Sequence, residues 1–259
     1  MMTFNNFEEY DNPTLYDKEN EQFIPELPFL SKWAAKKQGV IIDLACGTGR
    51  ITIPLAKNGY ELIGVDIHNG MLTEAKNKSA NLNLQINWVE QDCTKLALHA
   101  KSSLIYSVGN SFQHLLTNED QDRFLSSVTK HLENDGIFIF GTRFPSTEEL
   151  IQPPTEEYWR SYRDSETKQI VDLFTISEYD SLNQIQHYTT IRKYKNDAGE
   201  IINEMRTHIS LRYVFPKEMN RLLHYHGFEI LHLYKDWQET PITKDSYEMI
   251  YVCKKGSRK

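Results

Sequence analysis

The sequence predicts an α/β protein: a doubly wound, largely parallel sheet carrying an inserted antiparallel β subdomain. Between residues 40 and 143, short β-branched runs alternate with helix-period segments, the pattern of a parallel sheet covered by helices on both faces. After Arg143 the rhythm changes to long β-forming stretches separated by tight turns. The 259 residues, 39% apolar and 25% charged, suffice for one such domain with an insertion and a sizeable buried core.

The elements follow in order. Residues 1–39 read as an N-terminal arm, punctuated by Tyr10, Pro13, Tyr16, Phe23, Pro25 and Pro28, with a short amphipathic helix through Leu30, Trp33 and Ala34. The core, 40–145, takes strands at 40–46, 61–67, 86–92, 103–109 and 136–143, with helices from Ile51 to Lys57, Met71 to Ser79 and Asp120 to Leu132. In the last of these helices Phe124, Leu125, Val128 and Leu132 recur at helical spacing, and Asn134, Asp135 and Gly136 read as its stop. The segment 146–214 reads as an antiparallel cap whose 168–214 portion holds three long strands, parted by turns at 180–183 and 196–199. Residues 215–259 supply a helix opened by Pro216 and closed by Gly227, then strands at 228–237 and 247–255 and a solvated basic tail.

Charge and cysteine content narrow the function classes. Lys and Arg total 29 against 36 acidic residues, a formal charge of −7, which disfavours a dedicated nucleic-acid binder. Three widely spaced cysteines, Cys46, Cys93 and Cys253, match neither a disulfide framework nor a structural zinc site, so no metal is expected. The start has no basic flank and apolar run, and no stretch approaches a membrane span, which leads us to expect a cytoplasmic protein with no membrane partner.

The chemistry concentrates in the stretch 43–50, Asp-Leu-Ala-Cys-Gly-Thr-Gly-Arg, which follows one strand and opens a helix. Glycine there lets backbone approach a ligand without a Cβ clash. A dinucleotide fingerprint needs a third glycine where this chain has Thr52, and a pyrophosphate avoids a carboxylate such as Asp43. A nicotinamide-dependent oxidoreductase therefore fits poorly. An acidic strand end before a glycine loop suits a ligand without phosphate and with positive charge, as S-adenosylmethionine is. Asp66, nineteen residues after Gly47, stands where a carboxylate accepts from ribose hydroxyls, and Asp92 where one accepts from an adenine amine, with Ile67 and Met71 as apolar walls.

These motifs resemble the class I S-adenosylmethionine-dependent methyltransferases, most closely the bacterial small-molecule type with a β insertion. The resemblance runs through the stretches 43–56, 64–72, 89–96 and 110–140, and more loosely through 215–230 to 247–255. It implies a Rossmann-like seven-stranded methyltransferase sheet, with 40–145 as the S-adenosylmethionine-binding core. By position, Ala45, Cys46, Gly47 and Gly49 would line the methionine part and Asp43 would orient the loop. Asp66 would hold the ribose, Ile67 and Met71 the adenine ring, and Asp92 with the Cys93 backbone its edge. Ser107 stands where the family offers a carbonyl to the methionine amine, and Tyr16 in the place of a capping tyrosine.

The expected reaction is methyl transfer from S-adenosylmethionine to nitrogen or oxygen of a small-molecule acceptor, releasing S-adenosylhomocysteine. Such a displacement needs orientation, desolvation and, for a nucleophile that carries a proton, a base. His114, just beyond the fourth strand, is the candidate base, the alternative being a helix-start histidine satisfied by backbone. Asn110, Gln113 and Arg143 are rim candidates. Cys46 and Cys93 read as small buried residues rather than nucleophiles, since neither has an activating base in sequence. Tyr158, Trp159, Arg160, Tyr162 and Arg163 either wall an acceptor pocket or form a sheet extension or dimer surface. The same fold also suits a non-catalytic S-adenosylmethionine-binding scaffold, and monomer and homodimer are both compatible with the sequence.

Overall fold

The computed structural model describes residues 6–164 and 166–256, so the tail expected at the C-terminus lies largely outside the described residues. The arm forms two helices, α1 (Pro13–Asn20) and α2 (Glu26–Ala34). The prolines read as punctuation have a structural use here: Pro13 takes the first helical position, where no N–H is needed, and the Asn12 side chain accepts from Leu15 N at 3.0 Å.

The core follows as β1 (Ile41–Leu44), α3 (Thr52–Lys57), β2 (Leu62–Asp66), α4 (Asn69–Asn81), β3 (Asn87–Glu90), β4 (Ser102–Ser107), α5 (Asn118–His131) and β5 (Leu132–Arg143). After the insertion come α7 (Pro216–Tyr225), β10 (Phe228–Tyr234) and β11 (Glu248–Lys255). These strands make one seven-stranded sheet of order β10-β11-β5-β4-β1-β2-β3, with β11 antiparallel between β10 and β5 and the other core strands parallel. The fifth strand begins earlier than the expected Gly136: Leu132 already pairs with Ser102, and a register shift between Ser102 and Leu104 absorbs the turn-forming residues read as a helix stop.

Both faces of the sheet are covered, which is why its strands read as β-branched runs without polar alternation. On one face Ile42, Ile105, Phe138 and Phe140 pack against Phe124, Leu125 and Val128 of α5 and Met219 and Leu223 of α7. On the other, Ile41, Leu104, Ile137 and Ile139 meet Phe29 and Leu30 of α2 and Leu55 of α3. Phe138 stacks on Phe140 at 4.9 Å between ring centroids, and Phe140 on Tyr251 at 5.2 Å. Each fully buried ring of this kind contributes about 1.5–3 kcal/mol by area.

The insertion comprises α6 (Thr147–Leu150) and a four-stranded antiparallel sheet, β6 (Glu157–Arg163), β7 (Ile170–Asp180), β8 (Ile185–Lys195) and β9 (Ile201–Arg212), paired in chain order. Three of these strands are the long stretches expected; β6 is an addition. Its sequence, Glu-Tyr-Trp-Arg-Ser-Tyr-Arg, alternates aromatic and charged residues because it is an edge strand with an exposed face. Of the two readings of its aromatics, the sheet extension is the one seen and not the pocket wall: Tyr158 and Trp159 are 60% and 55% exposed, Arg160 lies over the Trp159 ring, and Tyr162 donates to Glu19 of α1.

Candidate active site at the carboxyl ends of the strands

Chain order reverses between β1 and β4, and the crevice above that point is where an open α/β sheet presents its binding loops. The loop leaving β1 turns through three left-handed residues, Ala45 (φ 57°), Gly47 (φ 57°) and Gly49 (φ 81°). Ala45 has no glycine's freedom, so its conformation costs on the order of 1 kcal/mol, held by the Cys46 N–H donating to Val65 O at 3.0 Å. A side chain at Gly47 would come within 3.3 Å of Met71 Cε, narrowing the cavity.

The two carboxylates at the strand ends are built differently. Asp43 is buried; its Oδ2 accepts the Thr52 hydroxyl at 2.5 Å, while Oδ1 has no protein partner. Burial raises its pKa to about 7, against the lowering effect of the Thr52 hydrogen bond, the neighbouring Tyr106 hydroxyl and Arg50. The residue at the missing third glycine thus serves the carboxylate directly. Asp66 Oδ2 accepts from Gly47 N at 2.7 Å and Oδ1 from His68 N at 2.8 Å, tying the first loop to the second; burial raises this carboxyl too.

A cavity of about 340 Å³ joins these strand ends. Tyr16, Asp43, Ala45, Cys46, Gly47, Asp66, Ile67, Met71, Asp92, Cys93, Ser107 and His114 all border it. Asp92 Oδ1 accepts from Thr94 N and Thr94 Oγ1, capping a short turn, with Oδ2 on its other side. Burial pushes the Cys46 thiol well up and the Cys93 thiol to about 12, so both are neutral, as the reading against nucleophiles anticipated. Gly49 is the exception: it does not border the cavity. A Cβ there would stand 2.7 Å from Trp88, and the residue makes room for that ring beneath the loop. Of the rim candidates, Gln113 is fully buried outside the cavity and Arg143 is ion-paired with Glu149 at 2.5 Å. Asn110 holds a left-handed turn (φ 60°) before His114 and likewise does not border the cavity.

The arm closes the cavity from above. Asn6, Phe7, Tyr10 and Tyr16 border it, and the Tyr10 ring lies 5.7 Å from both the Tyr16 and the His114 rings. Tyr10 Oη is 3.1 Å from His114 Nε2 and Asn6 Nδ2 is 3.4 Å from His114 Nδ1. Burial alone lowers the His114 pKa to about 4, so the ring is neutral at physiological pH. The arm is held to the inserted sheet by acids: Glu8 accepts from His208 N at 2.9 Å, and buried Arg192 bridges Glu9 and Glu19 at 2.8 and 2.7 Å. Asn6, Phe7, Tyr10, Arg50 and His68 at the cavity were missed as site residues: the first three are single letters outside any spaced motif, and Arg50 and His68 stand inside the motif stretches without a role assigned to them.

The donor set fits S-adenosylmethionine. Two residues on the cavity wall, Asp43 and Ser107, each keep a buried oxygen with no protein partner, as a site awaiting ammonium and sulfonium charge requires. A carboxylate at each of the next two strand ends suits a ribose and an adenine amine. Fold and site together define a class I methyltransferase core.

Residues 41–136 match the methyltransferase domain family. The glycine/sarcosine N-methyltransferase of Aphanothece halophytica is 26% identical, covering 83% of this chain and 76% of that relative. Among solved structures, an S-adenosylmethionine-dependent methyltransferase from Clostridium acetobutylicum ATCC 824 superposes with a TM-score of 0.78 at 22% identity, over 94% of this chain and 97% of the other. The S-adenosylmethionine-bound amino pentose methyltransferase CalS10 from Micromonospora echinaspora gives 0.75 at 14% identity, over 93% and 95%. These likenesses support a class I S-adenosylmethionine-dependent methyltransferase with S-adenosylmethionine as its cofactor. Among the described residues no helix is long and apolar enough to cross a membrane.

Proposed function

We propose that this enzyme methylates the nitrogen of a small-molecule amine. The observation that carries this reading is the protonation chemistry where the arm meets the core. The bound cofactor supplies an electrophilic methyl group on a sulfonium. An uncharged amine brings its lone pair and loses its proton after transfer, whereas an alcohol needs a base during attack. Asp43, raised to about 7, faces the cofactor's charge in this reading, and the groups beside the arm are poor bases. His114 is held neutral with a pKa near 4, burial raises the Tyr10 and Tyr16 phenols, and Ser107 carries only a hydroxyl. Orientation and water exclusion under the arm then supply the catalysis. The glycine/sarcosine N-methyltransferase among its relatives supports nitrogen as the acceptor.

In this reading Ala45, Cys46 and Gly47 line the methionine part with Asp43 and Ser107 facing its charges, and Asp66 takes the ribose hydroxyls. Ile67 and Met71 flank the adenine and Asp92 with the Cys93 backbone meets its edge. His114 and Tyr10 orient the acceptor. Asp66→Ala removes the proposed ribose acceptor and also the Gly47 and His68 bonds. Calorimetry should show S-adenosylhomocysteine affinity falling by about 3 kcal/mol or more, roughly a hundredfold. Undiminished binding rejects the ribose assignment. The acceptor class is tested with matched amines and alcohols: methylation of alcohols with amines inert rejects the nitrogen reading.

A further inference from the structure

We propose that Asn6 is a positioning residue that fixes the proton of His114 on Nε2 and thereby aims it at Tyr10. The inference rests on the reading above, in which His114 and Tyr10 border the acceptor end of the cavity.

The argument starts at the edge of the inserted sheet. β9 is an edge strand, and the Asn6 amide mimics a pairing backbone against it: Nδ2 donates to Ser210 O and Oδ1 accepts from Ser210 N, both at 2.8 Å. Flipping the amide would set oxygen against oxygen and N–H against N–H, so two backbone contacts determine which way it points. The second hydrogen of Nδ2 is left facing His114 Nδ1, 3.4 Å away. A donor facing a ring nitrogen requires a lone pair there. The neutral ring therefore carries its proton on Nε2, which stands 3.1 Å from Tyr10 Oη and donates to it.

Two consequences follow. Tyr10 Oη has one lone pair filled from His114, so its own hydrogen and its remaining lone pair are turned toward the cavity that Tyr10 borders. Placing a second proton on His114 would point an N–H at the Asn6 N–H, which reinforces the neutral state that burial already favours. The neighbouring contacts keep the arm in register with the sheet: Glu8 on His208 N at 2.9 Å, and Glu9 on Thr207 Oγ1 at 2.7 Å and on Arg192. Docking of the arm on β9 and the state of the imidazole are in this way one event.

The test is the nitrogen NMR spectrum of the full chain labelled with ¹⁵N in histidine, the His114 signals being assigned by their loss in His114→Gln. In the unsubstituted protein at neutral pH, Nδ1 should resonate as an unprotonated nitrogen and Nε2 as a protonated one. Asn6→Ala should move both toward the averaged positions of a mixed tautomer, and Asn6→Asp, which sets an acceptor opposite Nδ1, should shift the proton to Nδ1. A spectrum of the unsubstituted protein with Nδ1 protonated overturns the proposal without recourse to any variant. So do Asn6→Ala and Asn6→Asp spectra that both keep the original pattern. The measurement needs no acceptor and no turnover, so it fails or holds independently of the amine assignment.

Discussion

Asp43 provides a direct test of how the cavity recognises positive charge. Its carboxyl sits at the end of β1 with one oxygen on Thr52 and the other unpartnered, and burial raises its pKa to about 7. Asp43 in the ligand-free protein is therefore about half protonated at neutral pH. A cationic ligand favours the ionised carboxylate, so binding releases a proton wherever Asp43 was protonated beforehand. The sign follows: a raised carboxyl holds more protons in the free protein than in the complex, so affinity falls as pH drops through the raised value. If bound charge returns the carboxyl to roughly its ordinary pKa near 4, affinity for S-adenosylmethionine rises about tenfold, or about 1.4 kcal/mol, from about pH 6 to about pH 8. Asp43→Asn cannot titrate and should flatten this profile, leaving only the smaller slope due to Asp66, whose pKa is also raised. Titration calorimetry in buffers of different ionisation enthalpy reads affinity and proton release together. A pH-independent affinity in the unsubstituted protein, or the original slope surviving in Asp43→Asn, refutes the reasoning.

Two further perturbations test the framework around the cavity. Phe138 is fully buried between Phe124, Phe140 and Phe228, so Phe138→Ala should cost about 3–5 kcal/mol, read as a lower urea midpoint at unchanged slope. Arg192 is 5% exposed at its side chain and holds Glu9 and Glu19; Arg192→Met leaves two enclosed carboxylates without their cation, about 3–5 kcal/mol. Because those carboxylates anchor the arm, amide hydrogen exchange should rise selectively over α1 and residues 6–12. Exchange rising evenly over the whole chain would instead mean that the ion pair supports the fold at large.

The core was legible because parallel strands buried on both faces must be continuously apolar, and because loop chemistry sits at their ends in a fixed order. Asp43 and Asp66 lie at the ends of their strands and Gly47 and Asp92 just beyond theirs, so locating the strand located the residue, and all four meet at one cavity. Gly49 shows where that inference stops. The letter is right for a glycine loop, but its freedom serves Trp88, a neighbour thirty-nine positions later that no local pattern connects to it. Strand β6 was illegible for the opposite reason: an edge strand with no buried residue carries no apolar face to read, so its aromatic and arginine letters fitted a pocket wall as well as a sheet edge.

The arm marks a deeper limit. What makes Asn6 informative is its pairing with Ser210, 204 residues away, and with His114, 108 residues away. Such contacts depend on how the insertion stands over the core, which periodicity and spacing do not encode. Yet their chemistry is conditioned by the sequence in a simple way. An acidic stretch, Glu8 and Glu9, faces a strand pair carrying Arg192 and His208, so docking the arm pairs Glu9 with the Arg192 cation, and it carries Asn6 and Tyr10 to His114 at the cavity. Acidity, which in the sequence only argued against nucleic acid, is at this point local: Glu9 and Glu19 on Arg192 hold the arm over the cavity.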